Sequence, residues 1–348
     1  MVRRLVLFII LLSLTLLGCV QHDMHTKVED NKTKENKTIT VVDDLGCTVT
    51  VKLYPKRIVS LAPSNTEILF ALGLGNRVVG VTDYCNYPPE VVKLKEEGKI
   101  ESVGGYTTVN VEKVAELKPD LVVAHSGNGI GTIEAIRKLG IPVICLDPKN
   151  FEDIMRDIEL LGKITGTEEN ATKLIKFMRS KIEEVEKIVS KAKNRPRVVH
   201  IIWSDPIWVS GKGTFVDELI TLAGGVNAIN ESGWVTIDEE GLIALNPDVI
   251  IVNSGTGMGG SDNIIYKWIM NDERLKVVKA VKENRVYVID ADLVSRPSYR
   301  LVYALEEFAR FIHPELFEQS STIISSAIVP LIQQYINKDT LKFSIFSV

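Results

Sequence analysis

The segment Glu112–Gly127, EKVAELKPDLVVAHSG, aligns without a gap on Glu240–Gly255, EGLIALNPDVIIVNSG, 128 residues further on. Each copy reads as a helix, a Pro-Asp turn and a continuous apolar run of the kind that forms a strand buried on both faces. Each then opens into a glycine-rich loop, Gly127-x-Gly129-x-Gly131 in the first and Gly255-x-Gly257-x-x-Gly260 in the second. A second echo supports the duplication: Glu67-Ile-Leu-Phe-Ala-Leu-Gly73-Leu-Gly-Asn76 matches Glu218-Leu-Ile-Thr-Leu-Ala-Gly224-Gly-Val-Asn227 at the same offsets. A chain repeating such blocks in order is constrained to two similar lobes.

Strands alternating with helices in each lobe predict mainly parallel sheets covered on both faces. In the first lobe the strands are expected at Arg57–Ala62, Val78–Thr82, Asp120–His125 and Pro142–Asp147, and in the second at Arg197–Trp203, Asp248–Asn253 and Arg285–Asp290. Between them Thr167–Lys193 has no internal Gly or Pro and places Ala171, Leu174, Ile175, Met178, Ile182, Val185 and Val189 at helical spacing. The expected fold class is therefore α/β, two Rossmann-like lobes (39–165 and 195–317) joined by one long helix (166–194), with a C-terminal tail at 318–348. The tail is rich in Ile, Val and Leu for a free terminus. It is expected to dock as an extra helix broken near Pro330.

Gly255-x-Gly257-x-x-Gly260 after a strand has the spacing by which a Rossmann turn holds a pyrophosphate. A dinucleotide site also wants an acidic residue about 20 positions on, at the end of the next strand. Here the next strand ends at Asp290, some 30 residues on, and the motif has a duplicate. It reads as a repeated strand-end loop, and no cofactor is expected. The formal net charge of −4 offers no basic surface to nucleic acid.

At the N-terminus Arg3 and Arg4 precede a 13-residue apolar run, Leu5–Leu17, shorter than the roughly 20 residues a membrane span needs. It reads as an export signal (1–18), and Leu16-Leu17-Gly18-Cys19 resembles the lipobox of secreted lipoproteins, which implies lipid on Cys19. The alternatives are a core segment or an uncleaved anchor. Residues 19–38 are charged and almost free of apolar side chains, and read as a flexible tether. Cys47, Cys85 and Cys145 show no metal-type spacing and allow at most one disulfide, and no metal site is expected. No Gly-x-Ser-x-Gly elbow, Ser/His/Asp order or metal motif supports hydrolysis, although an exported nucleotide-binding enzyme is the alternative of another class.

Taken together, the leader, RIVSLAPSNTE (57–67), VGVTDYCNYPP (79–89), the two Pro-Asp repeats and HPELF (313–317) resemble the substrate-binding proteins of iron-siderophore, haem and cobalamin ABC importers. The resemblance covers about Ile39 to Phe317. It implies two α/β lobes joined by one long helix, a metal-chelate ligand held in the cleft between them, delivery to a dimeric permease with its ATPase, and no catalysis.

Ligands of doubly wound sheets bind outside the carboxyl ends of the strands. That rule nominates Tyr84, Tyr87, Tyr106 and His125 in the first lobe and Trp203, Trp208, Trp234 and Arg296 in the second. Aromatic faces bury large area at little entropic cost and suit a planar macrocycle. Each is also a reasonable core residue. His125 has three readings: a ring stacked on the ligand, a ligand to its metal, or a hydrogen-bonded strand-end residue. Arg296 offers a forked donor and Asp292 an acceptor, or the two form a mutual surface pair. By resemblance, cobalamin binders carry aromatics at the Tyr84, Tyr106 and Trp234 positions and polar groups near Asp292 and Arg296, although Tyr106 stands where Trp is often seen. Glu112 and Glu240 follow the N-cap candidates Asn110 and Asp238, where a carboxylate is favoured by the helix dipole. The family presents one glutamate from each lobe to arginines of the permease, and the duplicated pair fits that role. A corrinoid is the expected ligand, because of Tyr84-x-x-Tyr87-Pro-Pro, Trp234 and the few basic residues at the strand ends; a ferric siderophore or haem is the alternative.

Overall fold

A computed structural model describes residues 37–255 and 263–317. The leader, Cys19, most of the tether, Gly257, Gly260 and the tail 318–348 lie outside the described residues. The chain forms two compact units: one runs to Asp147 and includes Leu160–Glu169, the other comprises Pro148–Glu159 and the chain from Asn170 on.

The first unit opens with an antiparallel hairpin, β1 (Thr38–Val42) and β2 (Thr48–Lys52). Its turn is organised by the buried Asp43, whose carboxylate accepts from the backbone N–H groups of Leu45, Cys47 and Cys145 and pairs with Arg137. The strands β3 (Ile58–Ser60), β4 (Val78–Val81), β5 (Glu101–Ser102), β6 (Leu121–His125) and β7 (Val143–Leu146) follow. They form one wholly parallel sheet in the order β5-β4-β3-β6-β7. Val59, Leu61, Val122, Ala124 and Val143 pack beneath helix residues Val114, Ile133 and Ile136, all of them fully buried.

In the second unit β8 (Arg197–Ser204), β9 (Ile207–Ser210), β10 (Val226–Asn227), β11 (Trp234–Ile237), β12 (Val249–Asn253) and β13 (Val286–Ile289) make a mixed sheet. Its parallel part, β10-β8-β12-β13, repeats the order β4-β3-β6-β7 of the first unit. The antiparallel β9 and β11 are additions that the sequence reading left without strands. Cys47, Cys85 and Cys145 form no disulfide with one another.

The duplicated blocks do the same work in both units. Lys118 and Asn246, each preceding the Pro-Asp pair, hold left-handed backbone, with φ of 46° and 42°; proline disfavours helical backbone in the residue before it. The aspartate then clamps the start of the first strand. Asp120 Oδ2 accepts from the N–H groups of Lys56 and Arg57 at 2.9 and 3.0 Å, and Asp248 Oδ2 accepts from that of Arg197 at 2.7 Å. In each copy the aspartate's own N–H donates back, to Arg57 O and Arg197 O. The second echo forms helices Pro63–Ala71 and Phe215–Leu222, both closed by a glycine at φ +81°, Gly73 and Gly224, in a Schellman arrangement of N–H groups on the last carbonyls.

The helix expected over Thr167–Lys193 is observed as Glu168–Val189. A second helix, Phe151–Thr165, precedes it, and Gly166 at φ +74° separates the two. A side chain there would meet the ring of Tyr54, 2.4 Å from the Cβ position.

His200 sits at the centre of β8, fully buried, between Ser210 Oγ (2.8 Å) and Asn253 Oδ1 (2.9 Å); Asn253 in turn donates to Ser295 Oγ. Asn253 Oδ1 only accepts, so Nε2 carries the proton and Nδ1 accepts from the serine hydroxyl. Burial pushes the imidazole pKa down to about 4. The unfolded chain therefore binds a proton that the folded one refuses as pH falls from about 6.5 to about 4, and stability is lost across that window. The loss attributable to His200 is on the order of 3 kcal/mol. Urea unfolding at pH 7 and pH 4.5 is expected to show a smaller pH dependence in His200→Gln than in the native chain; equal dependence would mean that His200 takes no part.

Candidate functional site

In the first unit the strand order reverses direction between β3 and β6, so the crevice outside their carboxyl ends is the natural ligand position. His125 ends β6 there. Tyr106, on the loop after β5, places its hydroxyl 2.8 Å from His125 Nδ1, with ring centroids 5.9 Å apart. The N–H of Gly127 donates to the same nitrogen at 3.1 Å, and Asp147 Oδ1 lies 3.7 Å from Nε2. The hydrogen bonds expected of His125 as a strand-end residue are present.

Asn128, buried and unremarked in the sequence reading, holds this corner together. Its Oδ1 accepts from the N–H of His125 at 2.7 Å, and its Nδ2 donates to Leu61 O and Tyr106 O at 2.8 Å each. Three loop segments thus meet on one amide. Asp147, also missed, ends the β7 crossover, and its N–H donates to the hairpin's Asp44. Neither residue has a periodicity or motif to announce it; only its place at a strand end was readable.

The geometry also explains Gly127. A Cβ there would stand 2.1 Å from the Tyr106 hydroxyl, so glycine is required for the tyrosine to approach. Gly129, at φ +86°, starts the helix Ile130–Lys138.

Tyr84 and Tyr87 follow β4. Tyr84 is half exposed, its ring edge beside Gly105, and Tyr87 is partly buried. Their loop is pinned by Cys85, whose thiol lies 3.2 Å from the hydroxyls of both Thr66 and Thr82, and by the N–H of Asp83 donating to Gly104 O at 2.9 Å. That last bond ties the Tyr84 loop to the Tyr106 loop.

In the second unit Trp203, at the carboxyl end of β8, pairs across the hairpin with Trp208 on β9. Trp208 in turn pairs with Thr236 on β11, two residues from Trp234. Directly paired residues, and residues two apart along a strand, share a face, so the three tryptophans lie on one face of β8-β9-β11. They are exposed at 36%, 39% and 43% of their surface. Trp208 and Trp234 thus belong to antiparallel strands. Phe215 supports Trp234 edge-on, centroids 5.3 Å apart. Asp292 and Arg296 follow β13 in the chain and pair at 2.7 Å. Arg296 is buried, so this is not the solvated surface pair weighed from the sequence.

Asn110 and Asp238 cap their helices, accepting from Lys113 N–H (3.0 Å) and Gly241 N–H (2.7 Å). Glu112 and Glu240 occupy the second position of each helix, are exposed, and have no ion-pair partner among the described residues. Their neighbour Glu239 is engaged by Arg274.

Residues 58–293 match the family described as periplasmic binding protein. The chain belongs to that family. Its members are binding proteins and not enzymes, which sets aside the nucleotide-binding enzyme. Among curated relatives, the ABC transporter substrate-binding lipoprotein YvrC of Bacillus subtilis is 36% identical over 84% of this chain and 91% of its own length. The vitamin B12-binding protein of Vibrio cholerae is 30% identical over 74% of this chain and 89% of its own. Among solved structures, the B12-binding protein BtuF of Vibrio cholerae superposes with a TM-score of 0.63 at 27% identity, covering 75% of this chain and 97% of its own. The haem-binding protein RhuT of Roseiflexus does so with a TM-score of 0.66 at 26% identity, covering 75% and 99%.

Proposed function

We propose that this periplasmic binding protein serves an ABC importer at the outer face of the cell membrane, tethered by lipid on Cys19, and that its cargo is a corrinoid. The observation that carries the ligand class is the exposed tryptophan face of the second unit, Trp203, Trp208 and Trp234, a wall for a large planar chelate. Tyr84, Tyr87, Tyr106 and His125 of the first unit, and Asp292 with Arg296 of the second, complete the set of ligand contacts. Arg296 is the one permanent cation among them, and Asp292 already occupies it. Anionic ferric siderophores and haem call for more cationic donors than this. The names of the Vibrio relatives agree with a corrinoid; that of RhuT keeps haem as the second reading.

Glu112 and Glu240, exposed and without ion-pair partners among the described residues, are the contacts for the two permease subunits. Deleting the protein from a strain that depends on external corrinoid is expected to abolish growth on limiting cobalamin and to spare growth on haem or a ferric siderophore as sole iron source. The opposite pattern would transfer the role to iron chelates.

A further inference from the structure

Three groups converge on one nitrogen in the first unit, His125 Nδ1: the Tyr106 hydroxyl, the Gly127 N–H and, at 3.5 Å, the Ser126 hydroxyl. The N–H of Gly127 lies 3.1 Å from His125 Nδ1, and a backbone amide can only donate. Nδ1 is therefore an unprotonated lone pair. The Tyr106 hydroxyl, 2.8 Å from the same lone pair, has to donate as well. In the neutral ring Nε2 then carries the imidazole proton, on the side where Asp147 Oδ1 stands at 3.7 Å. Asn128 fixes the backbone of both His125 and Tyr106, so neither ring is free to exchange roles.

A phenol has one proton. With that proton committed to His125, the Tyr106 oxygen has only lone pairs left. Among the described residues nothing donates to it. Burial, with the Asp147 charge beside it, raises the phenol's pKa, so it remains a neutral phenol. Asp147 adds negative potential to the same corner.

We infer that Tyr106 acts as a polarity filter for the ligand: its oxygen meets the chelate as a hydrogen-bond acceptor only, selecting macrocycles edged with primary amides over those edged with carboxylates. This rests on the reading that Tyr106 and His125 are ligand contacts, and it deepens that reading. An amide N–H satisfies the oxygen. A carboxylate sets lone pair against lone pair beside Asp147, and a group that leaves buried polar atoms unpaired is rejected more strongly than one that merely fits less well. Corrinoids carry amides at the ring edge, whereas haem carries propionates.

Two measurements test the inference on the full chain. Nitrogen-15 imidazole correlations in the ligand-free protein are expected to show His125 as the Nε2-protonated tautomer; a protonated Nδ1 overturns the argument at its root. Titration with dicyanocobinamide and with dicyanocobyrinic acid, which carries carboxylates in place of amides, is expected to favour the amide by about tenfold or more. Tyr106→Phe is expected to reduce that preference to within about threefold, with a melting temperature lowered by no more than about a few degrees for the lost hydrogen bond to His125. A preference that Tyr106→Phe leaves intact overturns the selectivity alone. Failure of both corrinoids to bind overturns the corrinoid assignment and this selectivity with it.

Discussion

Trp234→Ala is expected to weaken ligand binding by roughly 30- to 1000-fold, the range of an aromatic hot spot worth about 2–4 kcal/mol. The residue is 43% exposed, so truncation opens no core cavity and the unfolding temperature should move little. Its orientation is nonetheless fixed, by the edge of Phe215 at 5.3 Å and by the β11 pairing with Ser210. A ring held in place before the ligand arrives loses little entropy on binding, which is why a large effect is expected from an exposed residue. Trp234→Phe should recover much of the affinity, since a flat face is retained. Calorimetric affinities for the three proteins check this, and an alanine variant with native affinity would remove Trp234 from the ligand contacts.

The second large effect concerns transport. Glu112→Ala combined with Glu240→Ala is expected to cut corrinoid uptake by at least about tenfold while leaving ligand affinity unchanged. Removing one partner of a charge pair that is desolvated on docking costs about 2–5 kcal/mol, and two are lost here. Both carboxylates contribute to their helix N-termini only at the level of about 0.3–1 kcal/mol, so the fold should survive. Uptake of radiolabelled cobalamin in cells, beside equilibrium affinity of the purified variant, separates docking from capture. Normal uptake by the double variant would reduce both residues to helix-dipole roles.

Seven parallel strands were legible because each is a short apolar run bounded by turn signals, and they fall within a residue or two of those expected, whereas the two-residue parallel strands β5 and β10 and the hairpin strands β1 and β2 were not read. The Pro-Asp repeats were legible as repeats, although that each aspartate clamps a strand start some 50 or more residues away was not. The antiparallel strands β9 and β11 escaped notice because IWVS and WVTI are four-residue runs hemmed by Asp205-Pro206, Gly211 and Gly233. Their pairing is decided by the neighbouring strand and not by their own pattern. Three of the candidate aromatics therefore proved to share one sheet face, a relation that chain order alone does not encode. In the first unit Tyr106 and His125 were named separately. The amide of Asn128 that binds them could not be inferred, because a hydrogen bond across three loops leaves no periodic trace.

Function was readable at the level of the family and less so at the level of the ligand. The recurring blocks determine two α/β units of a binding protein, while the choice among chelates depends on where a few donors and acceptors point. Isothermal titration of the full chain in detergent with cyanocobalamin, haem and a ferric siderophore tests that choice most directly. Submicromolar binding of cyanocobalamin, with haem and the siderophore at least about a hundredfold weaker, is the predicted result; tight binding of haem or the siderophore with no heat from the corrinoid would contradict it.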